Sequence, residues 1–190
     1  PRNRGSNHYY EDTFNSQKEI IISSLKSCLR ISPTNKKTEF PKDVLLNNLF
    51  DRFHLVVKQI RNRYDNRNTL DIDDEYDVQD LLHSLLKIYF DDIRAEEWTP
   101  SYAGGCSRMD FLIKEEKIVI EVKKTRKGLS DKELGKQLIE DKERYKAHPD
   151  CKKLICFTYD PESRILNPKG IQNDLNKLEN DFEVQIIIKP

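Results

Sequence analysis

Two runs rich in apolar and β-branched residues, Ser107 to Ile113 and Lys117 to Thr125, stand three residues apart, with Lys114, Glu115 and Glu116 between them. Runs this short and this close read as the strands of an antiparallel hairpin. A helix signal follows. Ser130 and Glu133 fit a capping box, in which the serine oxygen accepts a backbone N–H and the glutamate reaches back, and Leu134, Leu138 and Tyr145 extend the helix to Ala147. Leu154 to Tyr159 is the next strand. Because a helix joins it to the hairpin, it is expected to lie parallel to the second hairpin strand through a right-handed crossover, which makes the chain α/β with a mixed sheet flanked by helices.

The remaining elements fit that frame. Val78, Leu81, Leu82, Leu85 and Tyr89 form a stripe at helical spacing, predicting a helix over Glu75 to Phe90. Ile93 to Thr99 reads as a short strand, Ile171 to Leu178 as a helix and Phe182 to Ile188 as a last strand. The order from Glu75 is therefore αβββαβαβ. Ahead of it, Glu11 to Leu29 shows near-helical apolar spacing, and Pro41 opens a second helix carrying Val44, Leu45, Leu49, Phe50, Phe53, Val56, Val57 and Ile60. The stretch Asn62 to Asp74, rich in Asn, Asp and Arg, reads as a linker. The expected division is a helical N-terminal extension over residues 1–66 and a second domain over 67–190, able to fold when cut near Asn68.

Composition narrows the function classes. The chain has 33 basic and 33 acidic residues, but residues 1–66 hold 12 basic and 7 acidic side chains, a basic front end suited to nucleic acid, a partner or a second copy of the chain. No apolar stretch approaches the roughly 18 residues of a membrane span. The opening residues lack the pattern of a secretory signal, and a start at Pro1 fits a piece of a longer parent protein with other domains. Cys28, Cys106, Cys151 and Cys156 match no zinc or redox spacing, and the four histidines match no metal-ligand spacing. Reduced thiols and a cytoplasmic location are expected.

The hairpin carries the chemistry. With Glu115 and Glu116 as a two-residue turn, Phe111 pairs with Ile120 and Ile113 with Ile118, Met109 falls opposite Val122, Asp110 opposite Glu121 and Arg108 opposite Lys123. Alternation puts Asp110, Glu121 and Lys123 on one face, with Leu112 and Val119 burying it further along. Two facing carboxylates repel, and either Lys123 or a divalent cation such as Mg²⁺ can supply the counter-charge.

Asp110, ten intervening residues, then Glu121-Val122-Lys123 resembles the Asp-(x)n-Glu-x-Lys signature of the PD-(D/E)XK nuclease superfamily, with Met109 replacing the Pro of its name. The surrounding phrase is more specific. Tyr76-Asp77-Val78-Gln79-Asp80-Leu81-Leu82, Glu96-Glu97-Trp98-Thr99-Pro100-Ser101, Ala103-Gly104-Gly105, Ser107-Arg108-Met109-Asp110 and Glu121-Val122-Lys123-Lys124-Thr125 resemble the DpnII/MboI-like restriction endonuclease domain family, from Glu75 to Pro190. The resemblance implies a restriction-endonuclease-like αβββαβ core and Mg²⁺-dependent hydrolysis of double-stranded DNA, with Mn²⁺ as a substitute metal, in restriction or anti-phage defence. It implies that Asp110, Glu121 and the Val122 carbonyl hold the metal and that Lys123 orients water and offsets charge on the phosphorane. An acidic helper from the first helix is expected at Glu75, since Asp80 falls opposite the apolar stripe while Glu75 and Gln79 flank it. Gln137, with Asp141 and Tyr145, resembles the superfamily's Gln-containing helix and is the further site residue.

Lys124, Arg126 and Lys127, just before a capped helix start, are expected to meet DNA phosphates, as is Arg108. Trp98 is expected to pack. Cutting both strands favours a homodimer with two sites. The alternatives are a catalytically inactive nuclease-like fold that binds nucleic acid or protein, and a junction or RNA nuclease with the same chemistry.

Overall fold

Helix α1, Lys42–Arg61, follows Pro41 and turns Leu46, Leu49, Phe50, Phe53 and Val57 to one buried stripe, with Asp43 in its first turn and Lys58 and Arg61 in its last, each suited to the helix dipole. Helix α2, Glu75–Leu86, begins at a capping box in which Asp74 accepts the Tyr76 and Asp77 N–H groups and Asp77 accepts the Asp74 N–H. It buries Val78, Leu81, Leu82 and Leu86. The helix stops four residues short of the expected Phe90, and Tyr89 is exposed. The computed structural model describes Lys18 and residues 41–98 and 108–190, and the chain divides into two units, residues 1–40 and 41–190. The expected helix over Glu11 to Leu29 lies outside the described residues except for Lys18, which is helical.

Six strands follow in one sheet: β1 Ile93–Ala95, β2 Phe111–Ile113, β3 Ile118–Lys124, β4 Lys153–Tyr159, β5 Lys177–Glu179 and β6 Phe182–Lys189. Their spatial order is β1-β2-β3-β4-β6-β5. β1, β2 and β3 are antiparallel, while β3, β4 and β6 are parallel, as the intervening helices α3, Asp131–Lys146, and α4, Pro168–Leu175, require. The Ser130–Glu133 capping box opens α3 as expected. The β2–β3 register is the expected one, although the connection is a four-residue turn, Lys114 to Lys117, with Lys117 at φ 55°. A two-residue and a four-residue loop centred on the same bond give the same pairing. Where a helix was expected to run through Leu178, α4 ends at Leu175 and β5 begins. Asn180 and Asp181, at φ 46° and 66°, supply the two positive-φ residues that a tight hairpin into β6 needs.

The sheet separates two apolar clusters. One joins Phe111, Ile113, Ile120, Val122 and Phe157 to α1 and α2. The other joins Leu112, Val119, Leu154, Cys156 and Ile186 to Leu134, Leu138 and Tyr145 of α3. Among the described residues the sheet is thus buried on both faces and flanked by four helices, the layout expected of a restriction-endonuclease-like core. Among the described residues no helix is long and apolar enough to cross a membrane.

A division after residue 66 would cut through the first cluster. Phe50 lies 4.8 Å from Phe157 between ring centroids, Phe53 is 5.2 Å from both Phe157 and Tyr159, and Ile72, in the expected linker, is buried in the same cluster. The helix expected to stand in a separate extension covers the parallel strands. A chain beginning at Pro41 is expected to melt cooperatively, and Phe50→Ala within it to cost about 3–5 kcal/mol in denaturant unfolding. A chain beginning at Asn68 is expected to show no cooperative melt by circular dichroism; a sharp transition there would restore the boundary at residue 66.

Candidate active site

The β2–β3 ladder ends at the pair Phe111–Ile120, and the chain bends at Asp110. Met109 N–H donates to the Glu97 carbonyl at 2.9 Å, and Arg108 bridges Trp98. Val122 N–H, left without a β2 carbonyl, donates instead to Asp110 Oδ2 at 2.7 Å. The bend breaks the alternation on which the expected pairing beyond Phe111 rested. Met109 joins the cluster of Leu112 and Val119 rather than facing Val122, and Arg108 does not pair with Lys123. Asp110 meets the backbone of Val122. Since N–H and C=O of one strand residue point the same way, the Val122 carbonyl also opens toward Asp110.

Glu121 and Lys123 keep the regular alternation of β3 and face α3. Tyr145 Oη donates to Glu121 Oε2 at 2.6 Å. Lys123 Nζ lies 2.7 Å from Asp141 Oδ2 and 3.5 Å from Glu121 Oε1. Arg144 reaches the other oxygen of Asp141 at 2.9 Å. Asp141 and Tyr145 are four residues apart, so one helical face presents both to the strand. Gln137, one turn earlier, is half-buried and makes no side-chain hydrogen bond among the described residues. The face was visible in the sequence, but the members that touch the Glu121–Lys123 pair are Asp141 and Tyr145.

α2 holds the other carboxylate from the opposite side of the sheet. Gln79 Nε2 donates to Asp110 Oδ1 at 2.9 Å, so both oxygens of Asp110 accept. Gln79 lies on the flank predicted for the helper, and it is the residue that reaches Asp110. Glu75 is exposed at the rim, where its Oε2 accepts the Lys124 N–H at 3.3 Å. Of the basic residues, Arg126 and Lys127 are exposed and Lys124 half-buried. Arg108 is exposed but paired with Glu96 at 2.8 Å. Trp98, expected to pack, is 63% exposed.

The electrostatics follow from this enclosure. Burial raises the Asp110 carboxyl above its ordinary range against the pull of the Val122 N–H, and Glu75 adds to the rise. Burial likewise raises Glu121, with Asp110 and Asp141 reinforcing it and Lys123 opposing. For Lys123, burial works against the ammonium, but Glu121 and Asp141 outweigh it and hold the proton more tightly than usual. Lys123 remains protonated at neutral pH, and the carboxylates of Asp110 and Glu121 are crowded with negative charge that one ammonium does not offset.

Among the described residues, no group of three or more His, Cys, Asp or Glu side chains is arranged to hold an ion. The oxygen donors at the site are two carboxylates and one carbonyl. That set fits Mg²⁺, which takes one or two carboxylates and completes its shell with water and substrate phosphate rather than with a protein cage.

A family model described as REase_DpnII-MboI matches residues 44–190, more than three-quarters of the chain. No curated protein and no solved structure matches the chain.

The raised carboxylates carry a stability signature. A group whose folded pKa lies above its unfolded value binds more protons in the folded state, so in the metal-free protein this contribution is greatest at low pH. It falls as pH rises from the ordinary carboxylate range, about 4, through the raised folded values. Glu121→Gln keeps an acceptor for Tyr145 and removes the buried charge. With chelator present it is expected to melt higher than the parent at alkaline pH, and to show a flatter melting temperature between about pH 5 and 8.5. Parallel curves for parent and variant would refute the crowding.

Proposed function

The chain belongs to the DpnII–MboI restriction endonuclease family, a family of DNA-cleaving nucleases, and from that membership and the geometry of β3 we propose that it hydrolyses phosphodiester bonds of double-stranded DNA in a Mg²⁺-dependent reaction, in restriction or anti-phage defence. The observation that carries this is the pair of carboxylates, half-buried Asp110 and buried Glu121, held beside the Lys123 ammonium where the β2–β3 ladder opens.

Asp110, Glu121 and the Val122 carbonyl would hold Mg²⁺ or Mn²⁺, which when bound lowers the pKa of a water and neutralises charge on the phosphate. The protein's own groups do the rest. Gln79 and the Val122 N–H fix the Asp110 carboxylate from two directions, and Tyr145 fixes that of Glu121, so neither must reorganise as charge develops. Lys123 donates to the attacking water or to a phosphorane oxygen, and Asp141 keeps its side chain extended along the carboxylate face. The two apolar clusters on either side keep bulk water from the strand, which strengthens each of these interactions. Lys124, Arg126 and Lys127 supply cationic contacts to the strand being cut. A duplex has two strands, and two copies of the chain, each with one site, would cut both.

Plasmid DNA with Mg²⁺ is expected to be nicked or linearised, and the same mixture with chelator left intact. Asp110→Asn and Glu121→Gln are expected to lose cleavage while remaining folded. Lys123→Ala should lower turnover by roughly a hundredfold or more with DNA affinity in Ca²⁺ nearly unchanged. Intact plasmid with the parent protein, alongside tight DNA binding, would favour a binding module that has kept the fold without the reaction.

A further inference from the structure

A cleft of about 410 Å³ opens beside the carboxylates, between residues 73–76 at the start of α2 and residues 124–126 at the end of β3. Its acidic residues are mostly committed. Asp74 Oδ1 accepts the N–H groups of Tyr76 and Asp77, and Glu75 accepts the Lys124 N–H. With the capping box in place the helix terminus offers few free donors to an anion. What stays uncommitted is different in kind. The Tyr76 ring is 65% exposed and stacks on no other ring among the described residues, and the Lys124 and Arg126 side chains form no ion pair among them. The Asp73 carboxylate accepts no hydrogen bond among them.

An open aromatic face, two free cations and one free acceptor in a space of this size suit a nucleotide. Every base has a π-face that stacks on an aromatic ring, guanidinium pairs with phosphate, and a carboxylate can accept from an exocyclic amine. A small cation is disfavoured by Lys124 and Arg126. The cleft adjoins the proposed scissile position, since Glu75, which lines it and accepts the Lys124 N–H, lies one turn of α2 before Gln79, which holds Asp110. We propose that this cleft receives the nucleotide next to the scissile phosphate, with Tyr76 stacked on its base and Arg126 on its own phosphate. The proposal rests on the nuclease function of the carboxylate pair and names the part of the substrate that lies beside it. A base lodged against Tyr76 is unstacked from its neighbour, so the site favours a strand that opens at the cut.

The test uses the full chain, a DNA duplex carrying 2-aminopurine beside the cleaved bond, Ca²⁺ for binding and Mg²⁺ for turnover. Parent protein is expected to change the 2-aminopurine fluorescence. Tyr76→Ala should lose that change, weaken Kd roughly tenfold and raise KM more than it lowers kcat, while Tyr76→Phe restores the affinity that alanine loses. Arg126→Ala should lower the slope of log Kd against log salt by about one. Because both side chains are exposed, thermal melts are expected to match the parent. A parent that cuts DNA, with Tyr76→Ala keeping parental Kd and fluorescence, overturns the cleft and leaves the nuclease function standing. A parent that binds with the Tyr76 dependence but does not cut upholds the cleft and overturns the reaction. A parent that neither binds nor cuts overturns both.

Discussion

The hydrogen bond from the Val122 N–H to the Asp110 carboxylate marks the point on which the site depends. A regular hairpin would have given that N–H to a main-chain carbonyl of β2 and continued the ladder. Here the bend at Asp110 ends the ladder, and the side chain takes over the backbone's partner. The exchange leaves no buried donor unpaired, which is what permits the strands to part inside the fold. It also brings a carboxylate against a strand whose next outward residues are Glu121 and Lys123. The opening between β2 and β3, the carbonyl of Val122 facing it and the crowding of charge all follow from one missing rung.

Holding two carboxylates in that opening requires support from both faces of the sheet. α2 supplies Gln79 to Asp110 from one side, and α3 supplies Tyr145 to Glu121 and Asp141 to Lys123 from the other. Neither helix could do so unless its apolar stripe were seated. α3 seats on Leu112, Val119 and Leu154. α2 shares its cluster with α1, whose Phe50 and Phe53 cover Phe157 and Tyr159. The first described helix is therefore remote from the chemistry in sequence and part of its scaffold in space. The site's electrostatic cost is offset by the apolar burial around it, so the fold can hold two carboxylates and an ammonium in close company.

Much of this was legible from residues alone, for identifiable reasons. Short-range patterns survive folding when neighbours agree with them: the Ser130–Glu133 box, the helical stripe of α2 and the pairing of Phe111 to Ile113 with Ile118 to Ile120 are all local. The alternation along β3 placed Glu121 and Lys123 together because that strand is regular. The same rule failed at Met109 and Arg108, where the chain bends, since alternation holds only as far as the pleat does. The turn at Asn180 and Asp181 carried a signal in its residue types that helix periodicity masked.

What the sequence by itself determined is the α/β layout, the register of the hairpin and the identity of the hairpin that carries Asp110, Glu121 and Lys123. What only the tertiary structure decided is which residue of each helix reaches them: Gln79 rather than Glu75 at Asp110, and Asp141 with Tyr145 rather than Gln137 at the Glu121–Lys123 pair. It also decided that the helix over residues 42–61 belongs to this core. Helical spacing fixes a face to within a flank, and neighbouring turns of that face are equivalent until another element is packed against it. The choice among them is made by the depth and angle at which the helix meets the sheet, set by apolar contacts between residues scores of positions apart, and no local pattern encodes those.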